Sequence, residues 1–375
     1  MRGPHNSRMP SLRLGFVLLS PSTAPQPSTR VSVLNMLPYL RDAGIDARIA
    51  HQPARDDERP DLSHLDAQQL ARQFDLVYFQ KVHGPSAVAL ARRLRAAGVG
   101  TVYGNCDLVE PEMTAATDAS VVATEYLKSL QPAELHPRIH VVHDGIENPG
   151  ACKTAYGDGH GSALRPLRAV LVTSQPLTQL PVLRVPPPWL RIAIVGRYAP
   201  AGQRLERLRQ IRWQMARESQ RHVARTLSFL AHPRIERVTW TPAGVYEELL
   251  RADIGIIPIE TRTGGDADAG IMPAWKIKTE NRLTLKMSAG LPVVATPIPA
   301  YEAVLADGSD GFFARTREEW LERLSALRDP ALRAAMGTRA RERVQARYSK
   351  EAQARALIDV LRRLARQIGH ERVAV

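Results

Sequence analysis

Short apolar runs alternate with amphipathic stretches along most of this chain, and the two patterns have different periods. Runs of five to eight residues at 12–19, 45–50, 75–80, 100–104, 119–124 and 139–143 read as strands of a buried sheet. Between them, apolar residues recur every three or four positions. Val33, Met36, Leu37 and Leu40 predict a helix over 29–44, and similar patterns predict helices at 62–73 and 86–97, the latter stopped by Gly98. The rhythm pauses at 150–190, which is rich in Gly and polar residues and carries Pro186-Pro187-Pro188, with one candidate sheet strand at 169–173. It then restarts with strands at 191–196, 235–240 and 254–259 and helices at 204–230 and 245–251. Further segments follow at 301–306, 311–314 and 320–327. Two more helices carry the stripes Leu332, Met336, Ala340, Val344 and Leu357, Leu361, Leu364, Ile368.

Strand and helix alternating at this spacing imply right-handed βαβ units and parallel sheets. Two such series predict an α/β protein of two Rossmann-like domains facing each other across a cleft. The expected layout is a disordered tail at 1–11 and a first domain over 12–185 with its linker at the end. A second domain spans 186–350, and the helix at 351–375 returns to the first domain.

Residues 278–299, KTENRLTLKMSAGLPVVATPIP, are the most informative stretch. A polar turn opens a helix bearing Leu283, Leu285 and Met287, with Thr279 placed to cap it. Gly290 stops it, and 292–296 reads as a fully buried strand. The start of that helix offers free backbone N–H groups and a positive dipole end, which favour a phosphate.

Charge and composition narrow the alternatives. The chain of 375 residues has a formal charge of +13, but its basic residues are dispersed and aromatics make up only 5%, which argues against nucleic acid as the main partner. A basic face resting on an anionic membrane stays open. No run reaches the ~18–20 apolar residues of a membrane span. The run at 14–19 is too short for the core of a signal peptide. Two cysteines, Cys106 and Cys152, exclude a disulfide framework and fit a cytoplasmic setting. No Ser/His/Asp triad, zinc spacing, Walker loop or GxGxxG fingerprint is present.

The 278–299 stretch resembles the donor-binding signature of group 1 glycosyltransferases with the GT-B fold. Other pieces resemble the same family in the right order: Ser28-Thr29-Arg30 with Leu34 to Pro38, Phe74 to Lys81, and Val141 to Ile146. In the second half they are Ala252 to Pro258, Gly308 to Phe312, and Met336-Gly337 through Tyr348-Ser349. The resemblance implies retaining transfer of a hexose-type sugar from a nucleoside diphosphate sugar to a hydroxyl acceptor. That acceptor is a carbohydrate, a lipid-linked saccharide or a small molecule. The pathway implied is synthesis of cell-surface polysaccharide or glycoconjugates, with no cofactor beyond the donor and no metal. The protein would be cytoplasmic or peripheral at the inner membrane face.

Counting back from Gly290, the two glutamates that the family places eight residues apart fall on Ile277 and Leu285. Glu280, Asn281 and Glu260 are the nearby candidates to take over their contacts, and a binding protein without catalysis is the rival reading. The expected catalytic residues are Arg197 and Lys278, which would stabilise the leaving diphosphate, and Asp107, which would orient the acceptor. Gly196, Lys276, Thr279, Glu280, Asn281, Arg282 and Thr296 are expected to bind the donor. Arg204 is a further candidate cation, and Gly264-Gly265-Asp266 a candidate lid. On the first half, Lys81 and His83 end one strand and Asn105, Cys106 and Asp107 end the next. The family's histidine at this second place is Cys106 here.

Overall fold

The computed structural model describes residues 12–173, 185–198, 205–206, 209, 212, 232–261 and 272–373. The chain divides into two compact units. One comprises Met1–Glu147, Ile277–Thr279 and Tyr348–Val375; the other comprises Asn148–Lys276 and Glu280–Arg347. The expected tail at 1–11, most of the helix at 204–230 with Arg204, and the loop at 264–266 lie outside the described residues.

The first unit is built on a six-stranded parallel sheet of β1 (Arg13–Leu18), β2 (Asp46–His51), β3 (Leu76–Gln80), β4 (Gly100–Asn105), β5 (Ala119–Val122) and β6 (Ile139–Val141), in the order β2-β1-β3-β4-β5-β6. Leu18 pairs with Gln80 and Gln80 with Gly104, so the residues after β1, β3 and β4 emerge along one edge. Its helices are α1 (Leu37–Asp42), α2 (Ala67–Gln73), α3 (Pro85–Ala96), α4 (Pro111–Ala116), α5 (Glu125–Ser129) and α11 (Lys350–Val373). Leu357, Leu361 and Leu364 of α11 share a buried cluster with Phe16, Tyr78 and Val102 of the sheet. Each such side chain contributes about 1.5–3 kcal/mol by leaving water.

The helix expected over 29–44 is broken. A π-type turn at Arg30–Leu34 precedes α1, which starts afresh with a proline in its first turn. Pro38 has no N–H to continue the ladder, so it fits only where that donor would be idle. Helices α4 and α5 were not anticipated; at five or six residues they are too short to show a period.

The second unit carries β7 (Leu167–Val172), β8 (Leu190–Gly196), β9 (Ile235–Thr239), β10 (Ile254–Ile257), β11 (Val293–Ala295) and β12 (Gly311–Phe313), parallel throughout, in the order β12-β11-β10-β7-β8-β9. β7 pairs with β8 and β10, so the boundary expected at 185 is displaced: the chain enters the second unit at Asn148. The strand expected at 169–173 is β7, and it is a central strand of the second sheet rather than part of a linker.

Around this sheet lie α6 (Gly244–Arg251), α7 (Asn281–Ser288), α8 (Pro299–Glu302), α9 (Arg317–Ala326) and α10 (Pro330–Arg347). Thr316 and Glu319 form a capping box on α9. Gly290 ends α7 at φ +79°, and a Cβ on Gly337 of α10 would sit 2.2 Å from the Gly290 carbonyl oxygen. Only glycine at 337 lets the two backbones meet. The buried Arg333 guanidinium donates to the carbonyls of Leu327, Arg328, Gly157 and Gly159, tying the entering chain to the end of α9.

Candidate functional site

In the second unit, Gly196, Arg197, Glu260, Glu280, Asn281, Arg282 and Thr296 gather at the C-terminal edge of the sheet. The topology requires it. β10 and β11 are parallel neighbours, with Gly255 opposite Val293, so α7 must start where β10 ends and return the chain to the start of β11. Gly196 closes β8, and a Cβ there would lie 2.6 Å from the Thr173 carbonyl oxygen. Arg197, next along, is exposed. Thr296 is buried: its N–H donates to the Ile257 carbonyl and its Oγ1 accepts from the Ile259 N–H, each at 3.0 Å, so it fastens β10 to β11 at that edge.

The opening of α7 differs from the expectation. Glu280 is the N-cap residue and no side chain caps the helix. Thr279 is committed elsewhere, donating from Oγ1 to Asp144 Oδ2 at 2.8 Å within the first unit. Glu280 is buried at 1% exposure, while Asn281 and Arg282 are half-buried. Tyr301 lies beside them. Burial above all pushes its phenol up to about 12, against the opposing pull of the Arg282 charge, and its hydroxyl has no hydrogen-bond partner among the described residues. Lys276 rests its ammonium 5.5 Å from the centre of the Trp275 ring. Lys278 belongs to the first unit.

In the first unit, the residues after β3 and β4 form a charged network. Lys81 places its ammonium 2.8 Å from Glu58 Oε1 and 2.8 Å from Asp107 Oδ1. Burial works against that charge, but Cys106, Asp107 and Glu58 outweigh it and raise the Lys81 pKa. The Glu58 carboxylate faces His83 at 4.0 Å as well as Lys81, and these partners pull it down to about 2. Cys106 donates from Sγ to Asp107 Oδ1 at 3.4 Å; burial, then Asp107, raises its pKa and keeps the thiol protonated. His83 is enclosed, with Nδ1 3.3 Å from Glu110 Oε1. Tyr103, also enclosed, has a hydroxyl without a partner among the described residues. Asn105 folds the turn, accepting from the N–H groups of Asp107 and Leu108. A cavity of about 310 Å³ opens beside the network, walled by Gln26, Ser28, Asp56, Asp57, Glu58 and Lys81. A smaller one, lined by Tyr78, Cys106, Asp144 and Gln353, lies on the other side of Lys81.

Residues 276–359 match the family described as "Glycosyl transferase-like". Anabaena HepE, solved with UDP and glucose, is 15% identical, with 93% of this chain and 99% of that chain covered and a TM-score of 0.63. Sucrose-phosphate synthase from Thermosynechococcus elongatus is 13% identical, covering 94% and 99%, with a TM-score of 0.63. A glycosyltransferase from Rickettsia africae is 10% identical, covering 95% and 99%, with a TM-score of 0.66. No curated protein matches the chain by sequence.

This is a GT-B fold.

Within that GT-B frame the two missing glutamates have a physical explanation. Ile277 packs against Val122, Leu127, Leu135 and Ile139 of the first unit. Leu285 packs against the cluster of Val170, Val195, Leu249 and Leu291 in the second. Both positions are half-buried against apolar side chains, so a carboxylate at either would lose part of its hydration. Sequence reading missed Glu58, Tyr103 and Asp144, which the fold brings to the strand ends from distant loops. Only the run Asp56-Asp57-Glu58 carried a hint, and it reads equally well as a solvated loop. Among the described residues, no group of three His, Cys, Asp or Glu side chains is arranged to hold a metal ion, and no helix is long and apolar enough to cross a membrane.

Proposed function

We propose that this chain transfers a hexose-type sugar from a nucleoside diphosphate sugar to a hydroxyl acceptor with retention of configuration. The observation that carries the reading is the uncapped first turn of α7, at the sheet edge where Arg197 also emerges. The positive end of the helix and Arg282 together suit a diphosphate. Arg197 stabilises the charge that develops on the departing nucleotide. The departing phosphate accepts the proton of the acceptor hydroxyl, so the protein need supply positioning and electrostatics rather than a strong base. Asp107 orients that hydroxyl. The presence of UDP and glucose in the HepE structure favours a uridine nucleotide as donor. The setting that fits the charge of +13 is the cytoplasmic side of an anionic membrane, in the synthesis of polysaccharide or glycoconjugates.

A second reading has its own observation. With apolar residues at 277 and 285, the chain has the fold of a transferase without the family's carboxylates. It would then bind nucleotide sugars without turning them over. Calorimetry with UDP-, GDP-, dTDP- and ADP-glucose, alongside nucleotide-release assays, separates the two. Binding with release supports transfer, binding without release supports the second reading, and no binding of any donor defeats both.

A further inference from the structure

Lys81 lines both of the cavities described above. Among the described residues it is also the sole non-glycine with a positive φ, at +55°. A glycine would take that conformation without strain, so the position holds lysine for its head group. The ammonium is reached through a nearly enclosed side chain and bridges two carboxylates, Glu58 Oε1 and Asp107 Oδ1, both at 2.8 Å. The Cys106 thiol donates to the same Asp107 oxygen, which therefore has both lone pairs engaged. No described residue donates to Asp107 Oδ2. The partners differ from the clamp in exposure: the Lys81 side chain is 10% exposed, those of Glu58 and Asp107 42% and 44%. The cation is buried and the carboxylates are open to solvent.

We propose that Lys81 is a positioning residue of the acceptor side, fixing Asp107 so that Oδ2 is left to take the hydrogen bond of an acceptor hydroxyl. This rests on the reading of the chain as a transferase, because that reading supplies the acceptor. Glu58 is the second anchor: it prevents the ammonium from following Asp107 when Asp107 moves, so the carboxylate has one resting place. A simple ion pair on the surface would leave Asp107 free to rotate about its side chain.

Two measurements on the full chain test this. Cys106 is a built-in reporter, because the Asp107 carboxylate opposes formation of its thiolate. In a Cys152→Ser background, alkylation of Cys106 by iodoacetamide is compared in Asp107→Asn, Lys81→Met and the double variant. If Lys81 holds Asp107 against the sulfur, Asp107→Asn accelerates alkylation about threefold or more while Lys81 is present. In the Lys81→Met background, where the ammonium is gone, the same change has almost no effect, an interaction between neighbours that a cycle reveals. Equal acceleration in both backgrounds overturns the clamp.

The second measurement is UDP release from UDP-glucose with glycerol as the hydroxyl probe. Lys81→Met lowers kcat about tenfold with KM for UDP-glucose unchanged, and Lys81→Arg restores a substantial part of it. Unchanged kcat in Lys81→Met overturns the acceptor role. A wild-type protein that binds none of the four donor sugars sinks the transferase reading itself, and the alkylation cycle then still decides whether Lys81 holds Asp107.

Discussion

Lys286 lies in the middle of the most informative stretch of the chain and is fully buried, at 0% exposure. Its stem lies over Gly255 of β10, where a Cβ would come within 2.8 Å of Lys286 Cδ. Its ammonium donates to the Arg282 carbonyl at 3.2 Å, and no carboxylate lies within ion-pair distance among the described residues. Burial first, and the Arg282 charge second, lower its pKa from the ordinary 10.5 to about 7. Between those two values the unfolded chain holds a proton that the folded chain has released. Stability therefore rises with pH across that window, and below pH 7 the whole penalty applies. At about 1.36 kcal/mol per pKa unit the full gap corresponds to about 5 kcal/mol. Lys286→Met keeps the volume and removes the proton. The variant should exceed wild type by about 4 kcal/mol at pH 7 and by about 2 kcal/mol at pH 9. All five tryptophans fall within the second unit, so urea unfolding followed by tryptophan fluorescence reports on the unit that contains Lys286. The narrowing of about 2 kcal/mol between the two pH values is the decisive quantity, because packing differences between Lys and Met do not depend on pH. A gap of the same size at pH 7 and pH 9 would refute a buried, proton-releasing lysine.

Three other outcomes are expected. Arg197→Ala should weaken UDP-glucose binding about tenfold by calorimetry, the size of one lost charge-assisted hydrogen bond, with the unfolding midpoint unchanged. Gly104→Ala should lower first-unit stability by about 1–3 kcal/mol in urea, measured by circular dichroism. The reason is that its Cβ would fall 1.9 Å from the hydroxyl oxygen of the buried Tyr78. Glu58→Gln should cost only about 0.5–1 kcal/mol, because Glu58 is partly in water. Since the folded pKa of Glu58 is depressed, that cost is present above about pH 4.5 and disappears as pH falls through about 2; a cost that persists at pH 2 would be a packing effect instead.

The order of apolar runs and helical stripes in this sequence determined the two parallel sheets, because each buried strand is a local run and each crossover helix has a local period. It also determined that 278–299 is a helix stopped at Gly290 and followed by a buried strand. A turn and a five-residue apolar run need no distant partner to be recognised. What remained out of reach depends on distant pairing. β7 became a central strand of the second sheet because β8 and β10 flank it, although its own neighbours in the sequence read as linker. Thr279 lies one residue before the helix cap, and its hydroxyl donates to Asp144, 135 residues away. Ile277 and Leu285, read in sequence only as missing carboxylates, found their reason in the apolar clusters against which the fold places them. Lys81 reads as one cation among 51, and only the fold brings Glu58 and Asp107 to its ammonium. Local periodicity writes secondary structure into the chain, whereas the energy of a charge is set by which groups surround it, and the tertiary structure alone chooses those.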